Sequence, residues 1–302
     1  MTNARVSRGL SAPQREALAA LLSNPIYELV PIRGLEQAAA ALPPQALVTV
    51  TASPRLGIGA TLDAAEWLAA HGHDVSPHIA ARSIRDRAHL AEIVARIRNA
   101  GIRKAFVVGG DGDAVGEFRD GLTLLQALEP LGGWLEEIGV PSYPEGHPTI
   151  ADSVLLSDLR AKQRYAHSMT TQMSFNPEAV ATWIGRVRDT GITLPICLGV
   201  PGVLPLRKLM TIAARIGVAD STRYLLKNRS LLGHLVQGGA FGADALLTGL
   251  VSTLADPRAN VRALHLFTMN QVAETVEWQR AMISELTSAS DLGLEAVAEL
   301  TS

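Results

Sequence analysis

Eight short apolar runs recur along the 302-residue chain, at 26–32, 47–52, 75–80, 104–110, 138–143, 168–174, 194–200 and 262–269. Between them lie stretches rich in Ala, Leu, Arg and Glu with helical spacing, such as 63–71, 87–99, 122–128 and 177–189. Strands that alternate with helices must run parallel, because each helix carries the chain back to the same edge of the sheet. Eight such repeats predict a (β/α)₈ TIM barrel, and a doubly wound open sheet built on the same alternation is the rival. The stretch around 14–22 reads as a helix preceding the first strand. Gly101, Gly139 and Gly191 read as helix-to-strand turns. The seventh-to-eighth connection, 201–261, is extended and has room for more than one helix. No linker, low-complexity segment or repeat interrupts the pattern, so one domain over 1–302 is expected.

The composition narrows the partners. Hydrophobic residues make up 47% of the chain, charged residues 19%, and the formal net charge is −2. No basic stripe interleaved with aromatics points to nucleic acid, and no polybasic amphipathic segment points to a membrane surface. No apolar run approaches the ~18 residues that span a bilayer. The apolar stretch Ala17-Leu18-Ala19-Ala20-Leu21-Leu22 follows Gln14, Arg15 and Glu16, which is amphipathic patterning rather than a signal peptide. A cytoplasmic location is expected, with the oligomeric state open and a monomer among the choices. The single cysteine, Cys197, excludes internal disulfides and Cys-rich zinc sites, and reads as a buried thiol. His71, His73 and His78 are close in sequence. The first two belong to a turn on the far side of a barrel from its site, so no metal is expected.

A barrel places its chemistry on inward strand positions and in the loops after the strands. Those positions hold Glu28, Thr51, His78, the turn Gly109-Gly110-Asp111, Tyr143 and Glu145, Gln172, the run Gly199-Val200-Pro201-Gly202, and Thr268 with Asn270. Glu28 is the most demanding, because it interrupts the apolar run Ile26-Tyr27-Glu28-Leu29-Val30. A carboxylate removed from water needs a partner, or it stays protonated as a general acid requires. Pairing with Arg33 or another cation and service as a general acid are both open on this pattern. Gly109-Gly110-Asp111-Gly112-Asp113 is either a ligand-cradling turn or a plain turn in which Asp113 caps the next helix. It lacks the Lys and Ser/Thr of a phosphate-binding P-loop and the spacing of a dinucleotide fingerprint. Tyr143-Pro144-Glu145-Gly146-His147-Pro148 is stiffened by two prolines and projects an aromatic ring, an acid and an imidazole.

Taken in order, these segments resemble the methylenetetrahydrofolate reductase family along nearly the whole chain. The family's first strand, of the form Phe-Glu-Phe-Phe-Pro-Pro-Arg, is matched by Tyr27-Glu28-Leu29-Val30-Pro31-Ile32-Arg33. Val50-Thr51, Pro77-His78, Gly110-Asp111, the complete loop 143–148, Thr171-Gln172, Pro201-Gly202-Val203-Leu204-Pro205 and Phe267-Thr268-Met269-Asn270 match successive family motifs. The resemblance implies reduction of 5,10-methylenetetrahydrofolate to 5-methyltetrahydrofolate. By the same resemblance Glu28 is the general acid and Asp111 supports catalysis. Asp111, Gln172 and Tyr143 hold the folate, while Thr51, His78, Gly109, Gly110, Glu145 and His147 face the cofactor.

Departures from the family pattern bear on that cofactor. Typical members pass the hydride through bound flavin adenine dinucleotide. Here the arginine of Arg-Gly-Asp is Gly109, the aromatic after Val-Thr is Ala52, and the phenylalanines after Thr-Gln are Met173 and Ser174. The sequence is similar to the flavin-independent branch, which implies NADH, or alternatively NADPH, as the direct reductant and no bound FAD. Two rivals remain at this point. One keeps flavin, with Arg160, Lys162 or Arg164 supplying phosphate contacts; the other is a non-catalytic folate-binding protein on the same scaffold.

Overall fold

The computed structural model describes residues 9–205, 208, 211, 240–241 and 243–299. Eight strands close into a barrel with the neighbour order β1-β10-β7-β6-β5-β4-β3-β2. These are β1 (Ile26–Leu29), β2 (Leu47–Val50), β3 (Asp74–Ala80), β4 (Lys104–Val108), β5 (Glu137–Ser142), β6 (Ser168–Thr171), β7 (Ile196–Pro201) and β10 (Val261–Phe267). Every pairing in the barrel is parallel, and the first and last strands meet with Glu28 opposite Phe267. The open-sheet rival is therefore excluded. Two short strands, β8 (Leu204–Pro205) and β9 (Ala240–Phe241), pair antiparallel beside it.

The helices on the outside are α2 (Leu35–Ala39), α3 (Gly57–Ala70), α4 (Arg87–Asn99), α5 (Gly121–Leu128), α6 (Asp152–Lys162), α7 (Pro177–Asp189), α8 (Asp244–Leu254) and α9 (Val272–Glu299). The expected leading helix is α1 (Ala12–Ser23), which packs against α9 and α8. Its Leu18 and Leu22 are fully buried, and burying each is worth ~1.5–3 kcal/mol. The Gln279 side chain ties the two helices to β1: its amide donates to the Leu22 carbonyl at 2.6 Å and its oxygen accepts from the Tyr27 hydroxyl. The long 201–261 connection contains α8, and most of the rest of it lies outside the described residues.

Two local expectations change. Asp113 does not cap the helix after β4; that role falls to Asp120, whose carboxylate accepts from the Thr123 amide at 2.8 Å. The loop from 109 to 120 is thus longer than one simple turn. Gly139 lies inside β5 rather than in a turn, because a Cβ there would sit 2.6 Å from the Phe106 ring. Likewise Gly199 on β7 leaves room for Phe267, whose ring a Cβ would meet at 2.7 Å. Small residues on two strands make space for large rings on their neighbours inside the barrel.

The seam between β1 and β10 is fastened above the barrel. Asn270 accepts from the Val30 amide at 2.8 Å and donates to the Val30 carbonyl at 3.0 Å. Thr268 donates its hydroxyl to the Glu28 carbonyl at 2.6 Å. The two polar residues just beyond the last strand therefore hold the backbone at and after the strand that carries Glu28.

Candidate active site

Inward positions on β1, β3, β4 and β10 bring Glu28, His78, Phe106, His265 and Phe267 to the bottom of one cavity of about 890 Å³. The loops after the strands form its walls. Glu28 is buried, with Oε2 3.2 Å from His265 Nε2 and 3.9 Å from His78 Nε2. Arg33 is exposed, and the described partners of the Glu28 carboxyl are these two imidazoles. The Arg33 pairing is thereby overturned. Burial pushes His78 down to about 4, against the opposing pull of the Glu28 charge. At neutral pH His78 is an uncharged imidazole stacked obliquely on Phe106, with ring centroids 4.6 Å apart.

Of the other residues expected here, Thr51, Gly109, Gly110, Asp111, Tyr143, His147 and Gln172 all line the same cavity. Glu145 does not; its carboxylate accepts from the Ser174 hydroxyl instead. That bond turns the acid of the Tyr-Pro-Glu loop into a brace between the ends of β5 and β6. His147 sets its ring edge-on to Tyr143, with centroids 5.2 Å apart, and its Nδ1 lies 3.2 Å from the Thr149 hydroxyl. Burial raises the Tyr143 phenol, and the negative charges of Asp111 and Asp158 raise it further. Gln172 Oε1 accepts from the Met173 amide at 3.0 Å, while its backbone amide donates to the Ser142 carbonyl at 2.8 Å.

Asp111 is exposed on a loop that Arg82 holds in place. The Arg82 guanidinium donates to the carbonyls of Gly112 at 3.1 Å and Arg119 at 3.0 Å. Gly110 turns there with a φ of +87°, and a Cβ would meet that of Ala80 at 3.1 Å. Lys162 is buried in the cavity wall and paired with Asp158, whereas Arg160 and Arg164 are exposed and absent from the lining. Met173 and Ser174 are buried behind the wall, so of the four sequence departures only Gly109 and Ala52 face the cavity.

His265 belongs to no motif that marks it in the sequence, although its Nε2 lies 3.2 Å from the Glu28 carboxyl. It shares the inward face of β10 with Ala263 and Phe267, and a polar residue at such a position was the available signal. Among the described residues no group of three or more His, Cys, Asp or Glu side chains is placed to hold a metal ion. No helix among them is long and apolar enough to cross a membrane.

The sequence profile of methylenetetrahydrofolate reductase matches residues 44–281. The chain belongs to the methylenetetrahydrofolate reductase family. Membership makes it an oxidoreductase of folate metabolism by descent. The matched stretch begins after β1, so the position of Glu28 rests on the barrel geometry and the strand motif. Among solved structures the chain is similar to orotidine 5'-phosphate decarboxylase from Pyrococcus horikoshii OT3, with 14% identity, a TM-score of 0.48, and 86% of this chain and 99% of that one covered. Tryptophan synthase from M. tuberculosis matches at 15% identity and a TM-score of 0.40, covering 83% of this chain and all of the other. Nothing further is drawn from likenesses at that level.

Proposed function

We propose that this protein reduces 5,10-methylenetetrahydrofolate to 5-methyltetrahydrofolate, with NADH as the direct hydride donor. The observation that carries the reading is Glu28: a buried carboxyl at the bottom of a large cavity, between two imidazoles, in a chain of this family. The reaction consumes one proton and one hydride. Glu28 gives the proton to the folate nitrogen that leaves the methylene bridge as the five-membered ring opens. Asp111, negatively charged at the cavity mouth, stabilises the iminium cation formed at the other nitrogen. Gln172 and Tyr143 hold the pterin edge. His78, uncharged, offers a hydrogen bond to either ligand. When bound, the nicotinamide supplies the hydride to the exposed methylene carbon.

Two observations support direct transfer. Gly109 stands where the family pattern has an arginine for a flavin phosphate, and Ala52 where it has a ring to pack on a flavin. The flavin-retaining alternative has in its favour the cavity-lining Arg82 and Arg119 and the buried Lys162. The Lys162 ammonium is already paired with Asp158, which leaves it little uncompensated charge for a diphosphate. At Gly109 and Ala52 the wall therefore offers a flavin less than the family pattern does.

The test is oxidation of NADH by the purified full-length protein with 5,10-methylenetetrahydrofolate, with and without added FAD. Turnover without FAD, from a colourless preparation, is expected. A folate-binding protein with no turnover under either condition would replace this reading with the non-catalytic one.

A further inference from the structure

A second, smaller cavity of about 50 Å³ lies inside the barrel below the active site. His265, Phe106 and Thr170 line both spaces and so form the partition between them. The lining of the lower space mixes apolar residues such as Ile26, Val48 and Phe106 with the hydroxyl residues Thr49, Ser76 and Ser168. Its charged floor is compensated: Lys104 pairs with Asp74 at 2.6 Å, and Glu137 pairs with Arg262 while accepting from the Ser168 hydroxyl at 3.0 Å. An ion entering there would find no unbalanced charge.

Two atoms at this cavity lack what the floor has. Thr49 Oγ1 and His265 Nδ1 are both buried with no hydrogen-bond partner among the described residues. Leaving such groups unpaired costs ~1–3 kcal/mol each. A space of this size has room for one or a few water molecules, and a water is held where it finds two or more polar partners.

We propose that the lower cavity is a built water site, and that its water, bonded to Thr49 Oγ1 and His265 Nδ1, fixes the imidazole that positions Glu28. The inference rests on Glu28 being the general acid. The water accepts from Nδ1–H, which leaves the Nε2 lone pair facing Glu28 Oε2, 3.2 Å away. That tautomer accepts the acid proton of Glu28 as a hydrogen bond and holds the carboxyl in one orientation. His265 is thus a positioning residue that acts through Glu28, and Thr49 acts through the water.

The experiment uses the full chain in three arms. A high-resolution crystal structure should show density within hydrogen-bond reach of both atoms, and a dry cavity overturns the proposal. Nitrogen-15 NMR should report the Nδ1–H tautomer of His265 in the wild type and a mixture in Thr49→Val, which removes the hydroxyl at nearly constant volume. Thr49→Val should lower kcat about tenfold, with KM for the folate unchanged, and Thr49→Ser should restore it. An unaltered tautomer and kcat in Thr49→Val also overturn the proposal. If the wild type reduces no folate, the proposed function fails, while the density and the tautomer still decide the water site.

Discussion

His265 pairs in register with Ile26 on β1, two residues nearer the barrel floor than Glu28, yet its Nε2 reaches upward to within 3.2 Å of the Glu28 carboxyl. The acid is therefore gripped from below by one strand and approached from the side by His78 of another, at 3.9 Å. His78, held neutral, makes no lasting ion pair with the carboxyl.

Glu28→Gln keeps the size and hydrogen-bonding shape of the side chain and removes the transferable proton. Turnover should fall by about 10²–10⁴-fold, with folding and folate affinity retained. Steady-state rates beside equilibrium folate binding measure the two separately, and a near-normal rate would remove Glu28 from the acid role.

His78 should make the protein sensitive to acid. Its pKa is about 4 in the folded chain against 6.5 for the free side chain, so between these values the unfolded state binds a proton that the folded state refuses. Stability should therefore fall as the pH drops from 6.5 towards 4, by at most ~1.4 kcal/mol per pH unit from this group, and be indifferent to it above 6.5. Denaturant titrations across that range should show a shallower slope in His78→Gln. An identical slope in the variant would mean that other groups set the acid limit.

Asp111→Asn and Gln172→Ala test the folate grip from the loops after β4 and β6. The first removes the negative charge beside the developing iminium and should lower kcat by about tenfold or more. The second should raise the folate Kd while leaving kcat closer to normal. If both variants keep wild-type affinity and rate, the pterin does not lie between them.

How far this was legible depended on the kind of physical signal. The barrel was readable because each strand is a nearly continuous apolar run bounded by helical spacing, and every one of the eight runs became a strand. Glu28 stood out because a charge inside such a run is costly. His265 carries the same kind of signal more weakly, since an imidazole can be buried uncharged. Glu145 misled because loop chemistry does not reveal direction: only the fold places the Ser174 hydroxyl against it. Asp113 and Asp120 are equally good caps by residue type, and the length of the loop pinned by Arg82 decides between them. Gly139 resembles a turn residue until the Phe106 ring claims its space.

Gly199→Ala should destabilise the barrel without touching the chemistry directly. The new Cβ would fall 2.1 Å from the Thr171 carbonyl oxygen and 2.7 Å from the Phe267 ring, so backbone must shift. A loss of ~1–3 kcal/mol in chemical denaturation is expected. A stability equal to wild type would show that β6 and β7 separate more easily than their packing implies.

Direct hydride transfer is the claim on which the account turns, and the fate of the NADH label tests it. With the reductant deuterated on the transferred face and the solvent ordinary water, direct transfer places the deuterium in the product methyl group in full. The reverse labelling, ordinary NADH in heavy water, should leave the hydride-derived position of that methyl unlabelled. A reduced flavin intermediate would carry the hydride on an exchangeable nitrogen and lose it to solvent. Label retained in the methyl group is the result predicted here; label washed out to solvent, with turnover dependent on added FAD, would contradict it.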